Sequence, residues 1–250
     1  MSKKLLLGAF ITLIFSCAET GVGPSAATLA LLERSKSIQQ RDEKIRQNLR
    51  DREIMSDEDQ EGRSLLQDID DNEFVNIETL SSYFILDMKY ATDDNFLKKA
   101  VYSCEKCYVR GIVAKALIEA NRDFRKQGYR MKLFDCYRPH SVQKKMWEIF
   151  PNPGYVADPK GGSIHNKGAA VDITLTDQNG NELSMGTAFD HFGKEAHHSY
   201  SNLPEKVIAN RKILRKTMEK YGFSIIRTEW WHYNFKGKKF KISNFTWECD

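Results

Sequence analysis

The sequence carries little net charge and has only one long apolar run among its 250 residues. Because that run is confined to residues 5–15 and the mean hydropathy is −0.55, a protein with several membrane spans is excluded. A net charge of +4 is too small to indicate nucleic-acid binding, and no basic motif interleaved with aromatic residues supports that role. The composition instead favours a globular protein with an appended segment.

Aromatic residues are absent from residues 18–71, whereas the whole chain holds 14 Phe, 10 Tyr and 4 Trp. Residues 18–72 have a net charge of −5, and residues 73–250 have a net charge of +7. A chain with this many aromatic residues can bury enough apolar surface to fold, so disorder throughout is excluded. We therefore expect a polar linker over residues 18–72 and a folded domain over residues 73–250.

The linker is predicted to begin as a flexible tether and then to become helical. Gly and Pro dominate residues 21–25, which is typical of a tether. Residues 28–55 are rich in Arg, Glu, Gln and Lys, with Leu and Ile spaced too sparsely and irregularly for a coiled coil. This pattern predicts a solvated helical spacer that lifts the domain away from a membrane.

The first residues resemble an export signal. Lys3 and Lys4 form a basic start, and the apolar run that follows is too short to span a bilayer, so residues 1–17 are interpreted as a signal peptide. The junction Ser16-Cys17 resembles a bacterial lipoprotein cleavage site, at which Cys17 becomes the lipidated first residue. We expect an exported protein, in the periplasm or at the cell surface, attached to a membrane through Cys17. The alternative is an ordinary cleaved signal in which this cysteine is incidental.

Strands and helices mix in the domain without regular βαβ alternation, which favours an α+β fold over a doubly wound parallel sheet. Gly128 and Gly222 are expected to end two helices, and Ser141 is expected to cap a third. Strands are predicted at residues 83–88, 131–135, 169–175, 223–226 and 231–235, and helices at residues 109–127, 141–150 and 203–221.

One candidate metal-binding segment lies just before and within the predicted strand 169–175. Alternation along that strand places Asp172 on the face opposite the apolar side chains, among small residues. A turn at Lys167-Gly168 would fold His165 back towards the carboxylate of Asp172. A lone histidine or aspartate is more often structural than metal-binding, so this segment alone does not establish a site.

A second candidate segment supplies the rest of a zinc site. In a strand, His232 shares a face with Trp230 and Asn234. Two histidines and one carboxylate leave a fourth zinc position open for water, which is the catalytic arrangement rather than the structural one. Glu229 adds the carboxylate that a zinc hydrolase needs near that water to accept its proton. Together the two segments predict a catalytic zinc site.

These residues resemble the D-alanyl-D-alanine dipeptidase family (VanX-type), within the zinc DD-peptidases that share a fold with Hedgehog signalling domains. The resemblance covers about residues 74–250 in order and leaves the signal and the linker outside it. It implies a mainly antiparallel central sheet flanked by helices. The matching motifs are Tyr90–Phe96, Tyr137–Pro139, Ser163–Asp172, Met185–Asp190 with His197-His198 following, and Glu229–His232.

The resemblance implies the roles of individual residues at the metal. One zinc ion per chain is held by His165, Asp172 and His232. Glu229 acts as the general base and acid. Arg138, beside a rigid proline turn, stabilises the developing oxyanion.

The resemblance also implies how a substrate is bound. Ser163 and Asp190 contact the dipeptide, with the carboxylate of Asp190 on its free ammonium group. His197 and His198 suggest a second metal as an alternative, but a structural role is favoured for them.

Four of the five cysteines lie in the domain, at Cys104, Cys107, Cys136 and Cys249. Export permits disulfides, and four cysteines allow three full pairings among which the sequence does not choose. A structural zinc site is disfavoured because only one close pair exists, and a thioredoxin-like use of Cys104-x-x-Cys107 lacks the matching βαβ context. A bridge to Cys136 would stiffen the site around Arg138.

The leading functional hypothesis is zinc-dependent hydrolysis of D-alanyl-D-alanine to two D-alanines in cell-wall turnover. The alternatives are a carboxypeptidase acting on peptidoglycan stem peptides and a non-catalytic, metal-holding module that binds the cell wall. Asp190 favours a short free peptide, because a clamp for an amino terminus excludes longer chains. Glu229 and Arg138 favour an enzyme, because a pure binding site needs neither. Wall recycling, nutrient use and glycopeptide resistance would share this one site.

Overall fold

The computed structural model describes residues 25–249, except for the side chains of residues 47–65. The predicted signal peptide over residues 1–17, with its lipidated Cys17, lies outside the described residues. The chain divides after Gln60 into two units, the second being Glu61–Asp250. Within the described range, no helix is both long enough and apolar enough to cross a bilayer.

A single helix, α1, spans Ala26–Gln67 and is longer than the helix predicted over residues 28–55. Its first turn is capped by Ser25, whose hydroxyl accepts from the backbone N–H of Thr28 at 3.2 Å. Leu29 and Ile38 are about half exposed, at 49% and 51%, as the sparse apolar pattern predicts for a solvated helix.

The second unit has an α+β fold, as predicted, although several elements differ in their bounds. In chain order its elements are β1 Phe74–Asn76, β2 Ile85–Leu86, β3 Tyr108–Arg110, α2 Gly111–Lys126, β4 Arg130–Asp135, α3 His140–Ile149, β5 Ala170–Thr176, α4 Glu205–Lys220, β6 Phe223–Ile226 and β7 Glu229–Phe235.

Two sheets organise this unit. The larger has five strands in the order β2-β4-β5-β7-β6, and only the β2–β4 pair is parallel, so the sheet is mainly antiparallel. The smaller pairs β1 with β3. In the larger sheet, Asp172 of β5 lies directly opposite His232 of β7 and also pairs with Asp135 at the end of β4. The centre of the sheet therefore gathers chemically active side chains from three strands.

Strand β5 is buried along its whole length. Val171, Ile173 and Leu175 are each 0% exposed and form part of the core, as the alternation predicted. Asp172 and Thr174 on the other face are also buried, at 4% and 1% exposed, so both faces of the sheet are covered. A buried carboxylate in this setting is costly unless charged or hydrogen-bonded groups surround it.

All three predicted helix starts in this unit are wrong, and α4 begins at Glu205 rather than at residue 203. Helix α3 begins at His140 with Pro139 in the capping position, and Ser141 makes no side-chain cap. The N–H groups of its first turn are instead satisfied by the distant C-terminal segment: His140 donates to the carbonyl of Ser243, and Ser141 to the side chain of Asn244. Helix α2 begins at Gly111 rather than at residue 109, because residues 109 and 110 belong to β3, which pairs with β1.

Candidate active site

Three predicted metal ligands converge in the structure. The distance from His165 Nε2 to His232 Nδ1 is 3.1 Å, and Asp172 Oδ1 lies 3.0 Å from His232 Nδ1 and 3.4 Å from His165 Nε2. All three side chains are buried. Donor atoms bound about 2.0–2.1 Å from a tetrahedral zinc are about 3.3 Å apart, so this spacing fits that ion.

The turn before β5 brings His165 to this position. Residues His165–Lys167 form a short 3₁₀ helix that ends at Gly168, whose φ of 70° is left-handed. A side chain at Gly168 would also clash, since its Cβ would lie 2.5 Å from the ring of Phe74. The predicted turn at Lys167-Gly168 is therefore confirmed, and it folds the imidazole back over Asp172.

Hydrogen bonds on the outer side of the two imidazoles set their tautomers. His165 Nδ1 donates to the carbonyl oxygen of Cys136 at 2.7 Å, and His232 Nε2 donates to Asn234 Oδ1 at 2.8 Å. When the rings are neutral, each one presents its unprotonated nitrogen inwards, towards the carboxylate of Asp172. Three acceptors facing one another repel unless a cation or a proton lies between them, which is the chemistry of a metal site.

The electrostatics of the cluster agree with this geometry. Burial would raise the pKa of Asp172, but the charges and hydrogen bonds of His165 and His232 hold it well below its usual range. Burial would lower the pKa of His232, but hydrogen bonding to Asp172 and the negative charges of Asp172 and Glu229 outweigh it and raise that pKa to about 9. The cluster therefore attracts positive charge, whether a proton or a metal cation.

Glu229 stands at the edge of this cluster. Its Oε2 lies 3.8 Å from His232 Nδ1, and its side chain is 27% exposed. Burial raises its pKa, and the negative charge of Asp172 adds to that effect, while His232, His165 and Arg138 oppose it. A carboxylate with a raised pKa, close to the cluster and open to the cavity, can take up and release a proton.

The guanidinium of Arg138 is fixed on two sides. It donates to Asp135 Oδ2 at 2.5 Å and to Gln143 Oε1 at 2.9 Å, while its buried Nε has no partner among the described residues. Burial would lower its pKa, but the charge of Asp135 holds it well above its ordinary value. The side chain is thus a permanently charged donor whose orientation is set before any ligand arrives.

Asp190 is placed by an unusual backbone and by a tyrosine. Its φ of 59° is left-handed, and Tyr90 donates from its hydroxyl to the carboxylate oxygens at 3.2 Å. Burial raises the pKa of Asp190 well above its usual value, and the charge of Asp172 adds to the rise. Ser163 lies at the start of the turn, and its hydroxyl accepts from the backbone N–H of His165 at 3.2 Å.

One cavity of about 390 Å³ joins all of the predicted site residues. Its volume falls within the range of small-ligand sites. The predicted members of its lining are Arg138, Ser163, His165, Asp172, Asp190, Glu229 and His232.

Several residues that were not predicted also shape this site. Asp135 and Gln143 orient Arg138, Asn234 orients His232, and Tyr90 holds Asp190. Tyr90 lies in a motif that resembles the family, and alternation along the predicted strand places Asn234 on the face of His232. No sequence signal marked Asp135 or Gln143, because their roles depend on contacts made by the folded chain.

The second-metal alternative gains no support. The metal-binding group formed by His165, Asp172 and His232 is the only one found among the described residues, and it includes neither His197 nor His198.

The cysteines adopt one of the three possible pairings. Cys104 bonds to Cys249, and Cys107 bonds to Cys136. The two cysteines of the Cys104-x-x-Cys107 motif thus bond to different partners, which argues against their use as one redox pair. Cys136 is thus bridged to Cys107, a pairing that the sequence left open.

Two solved structures show partial similarity. The LD-carboxypeptidase LdcB has a TM-score of 0.38 at 26% identity, covering 55% of this chain and 65% of that one. The D,D-pentapeptidase VanY, solved in complex with Zn(II), has a TM-score of 0.35 at 15% identity, covering 52% and 73%. Scores this low do not establish a common arrangement.

Sequence similarity is far more decisive. The D-alanyl-D-alanine dipeptidase of Escherichia coli K12 is 34% identical over 164 residues, covering 66% of this chain and 85% of that protein. The D-alanyl-D-alanine dipeptidase of Enterococcus faecalis is 36% identical over 171 residues, covering 59% and 83%. The profile of the D-Ala-D-Ala dipeptidase family matches residues 70–248, which is most of the chain. The chain therefore belongs to the D-Ala-D-Ala dipeptidase family.

Proposed function

We propose that this protein is a zinc-dependent dipeptidase that hydrolyses D-alanyl-D-alanine to two D-alanines, with one zinc ion per chain. The observation that carries the proposal is the convergence of three inward-facing ligand atoms, from His165, Asp172 and His232, beside a carboxylate and a fixed guanidinium. Family membership and the names of the relatives support the same activity.

The residues divide the chemistry between them. When bound, zinc would polarise the scissile carbonyl and lower the pKa of the attacking water. Glu229 accepts the proton of that water and then delivers it to the leaving amine, and its raised pKa suits both steps. Arg138 donates to the oxyanion as negative charge develops, and Asp135 and Gln143 keep its guanidinium from reorienting during the reaction.

Asp190 and Ser163 are proposed to bind the substrate. The carboxylate of Asp190 lines the same cavity as Glu229 and pairs with the free ammonium of the dipeptide. The hydroxyl of Ser163 accepts from His165 N–H and keeps its own hydrogen for the substrate. An ammonium clamp inside this cavity would favour a free dipeptide over an N-extended peptide.

We also propose that the protein acts outside the cytoplasm, in turnover of cell-wall dipeptide, anchored through a lipidated Cys17. Two disulfides support an oxidising compartment, where such bonds persist. Labelling with a palmitate analogue should mark the wild-type chain and not Cys17→Ala. Equal labelling of both proteins would contradict lipidation, and a full-length cytoplasmic product would contradict export.

An assay of D-alanine release by the purified full chain tests the activity. D-Ala-D-Ala should be cleaved, whereas N-acetyl-D-Ala-D-Ala and a stem pentapeptide should be poor substrates. Faster cleavage of the pentapeptide would instead support the carboxypeptidase alternative. Zinc binding without cleavage of any of these peptides would support a binding module.

A further inference from the structure

We propose that the Cys107–Cys136 disulfide is a positioning device for the metal ligand His165, so that breaking this bond weakens zinc binding. The inference rests on the proposed zinc site and goes beyond it, because it assigns a role to a covalent bond outside the cavity. Cys136 is the residue that joins the two: its sulfur is bonded to Cys107, and its carbonyl oxygen accepts from His165 Nδ1 at 2.7 Å.

The chain around Cys136 is held between two other segments. On one side, the N–H of Tyr137 donates to the carbonyl of Tyr108 at 2.8 Å. The disulfide joins the residues just before these two, Cys136 and Cys107. On the other side, the N–H of Arg138 donates to the carbonyl of His165 at 3.1 Å. The disulfide thus fixes the segment Cys136–Arg138, to which His165 is hydrogen-bonded.

The carbonyl of Cys136 has a specific effect on the ligand. An acceptor at Nδ1 keeps the proton on that nitrogen and leaves Nε2 of His165 free to bind a metal. Groups that orient metal-bound histidines in this way typically contribute about 10–100-fold to metal affinity. Cys107 and Cys136 are both 0% exposed and His165 is 3% exposed, so no solvent replaces the carbonyl without displacing the chain.

Asp135, the residue before Cys136, orients Arg138. The N–H of Cys136 donates to Asp135 Oδ1 at 2.9 Å, and Asp135 Oδ2 accepts from the guanidinium. A shift of Cys136 therefore disturbs both the metal ligand and the oxyanion donor.

The second disulfide provides a matched control. Cys104–Cys249 begins only three residues from Cys107, but its other end is exposed and fastens the C-terminal segment. Among the described residues, no hydrogen bond joins Cys104 or Cys249 to His165, Asp172 or His232. Its loss should lower stability, as the loss of either disulfide does, without acting on the metal.

The experiment compares two double variants of the full chain, Cys107→Ser/Cys136→Ser and Cys104→Ser/Cys249→Ser. Apoprotein is titrated with Zn²⁺ against a competing chelator, and thermal melts report stability. The first variant should show a zinc Kd about 10–100-fold above wild type, and its cobalt-substituted form should show a changed visible spectrum. The second should lose stability while keeping the wild-type Kd and spectrum. An unchanged Kd in the first variant, or equal changes in both, would overturn the inference.

Reduction of the wild-type protein covers the case in which the first variant does not fold. A water-soluble phosphine converts each disulfide to two thiols and is itself oxidised to the phosphine oxide, with oxygen taken from water. Against the same chelator, the zinc Kd should rise by a similar factor once Cys107–Cys136 is reduced, with the reduced bond identified by alkylation and mass spectrometry. An unchanged Kd after that bond is reduced, or an equal rise when only Cys104–Cys249 is reduced, would contradict the proposal.

The wild-type protein separates this inference from the proposed function. A wild type that binds no zinc would refute the zinc dipeptidase itself. A wild type that binds zinc and cleaves D-Ala-D-Ala, with affinity indifferent to the disulfide, would refute only the positioning role.

Discussion

Helix α1 and the strand pair β5–β7 show two different relations between sequence and structure. Most apolar side chains described in α1 are about half exposed to solvent, as Ile38 is at 51%. The helix-forming composition of the segment is therefore enough to account for this helix. In β5, every residue is buried, and the carboxylate of Asp172 persists there because two histidines face it. The helix is therefore specified by local propensity, whereas the strand pair is specified by partners that lie far away in sequence.

The largest expected effect comes from removing a predicted ligand on the strand pair. His232→Ala should abolish zinc binding and reduce D-Ala-D-Ala hydrolysis to background. Only two of the three zinc ligands remain in this variant, and Asp172 loses a neutralising partner. Zinc content by elemental analysis and D-alanine release measure this. Ile38→Ala in α1 is the matched control and should change neither quantity. Full zinc content in His232→Ala would contradict the ligand assignment.

The buried ion pair at the end of β4 should give the next largest effect. Arg138→Ala should lower kcat about 10²–10³-fold with zinc retained, because an oxyanion donor is lost. It should also reduce the free energy of unfolding by about 3–5 kcal/mol, because Asp135 is left buried without its partner.

An exposed ion pair serves as the reference for that stability change. Arg215→Ala breaks the contact with Glu219, in which both side chains are more than a third exposed, and should change stability by only about 0.3–0.5 kcal/mol. Chemical denaturation of both variants measures the difference. Similar losses in the two would contradict the view that burial makes the Asp135–Arg138 pair important.

A direct comparison of the two regions uses the same substitution in each. Ile173→Ala in β5 removes a fully buried side chain and should cost about 2–5 kcal/mol. Ile38→Ala in α1 removes a half-exposed one and should cost within about 0.5 kcal/mol. Equal costs, measured by urea unfolding, would mean that α1 is buried against something in solution.

The smallest expected effect concerns substrate affinity and its dependence on pH. Burial raises the pKa of Asp190, so its carboxylate takes up a proton as the pH falls and then no longer attracts the substrate ammonium. KM for D-Ala-D-Ala should therefore rise towards acidic pH in the wild type, while kcat changes less. Asp190→Asn should have a high KM at every pH, with this acidic rise absent. A KM for Asp190→Asn that matched the wild-type value at neutral pH would contradict the clamp.

The sequence was sufficient for the elements whose patterns are local. Alternation along β5 placed Asp172 opposite Val171, and Gly168 marked the turn that returns His165 to it. The resemblance to a known family supplied Arg138 and Asp190, both of which line the cavity.

The features that were missed depend on contacts over long sequence separations. Asn244 supplies the acceptor that begins α3, so Ser141 does not act as its cap. The disulfide between Cys104 and Cys249 joins positions 145 residues apart, and no local pattern distinguishes it from the other pairings. The sequence predicts Asp135 only as the last residue of a strand. Its role follows from hydrogen bonds that the folded chain forms, which Arg138 and Tyr102 donate to its carboxylate.

Glu229 is proposed to move protons at a zinc site to which it contributes no ligand. The most direct test measures zinc content and D-Ala-D-Ala turnover in Glu229→Gln, in which an amide of nearly the same size replaces the carboxylate. We expect one zinc per chain, as in the wild type, and a loss of kcat of at least about 10²–10⁴-fold, the usual contribution of general acid–base assistance. Turnover near the wild-type rate, with zinc bound, would contradict it.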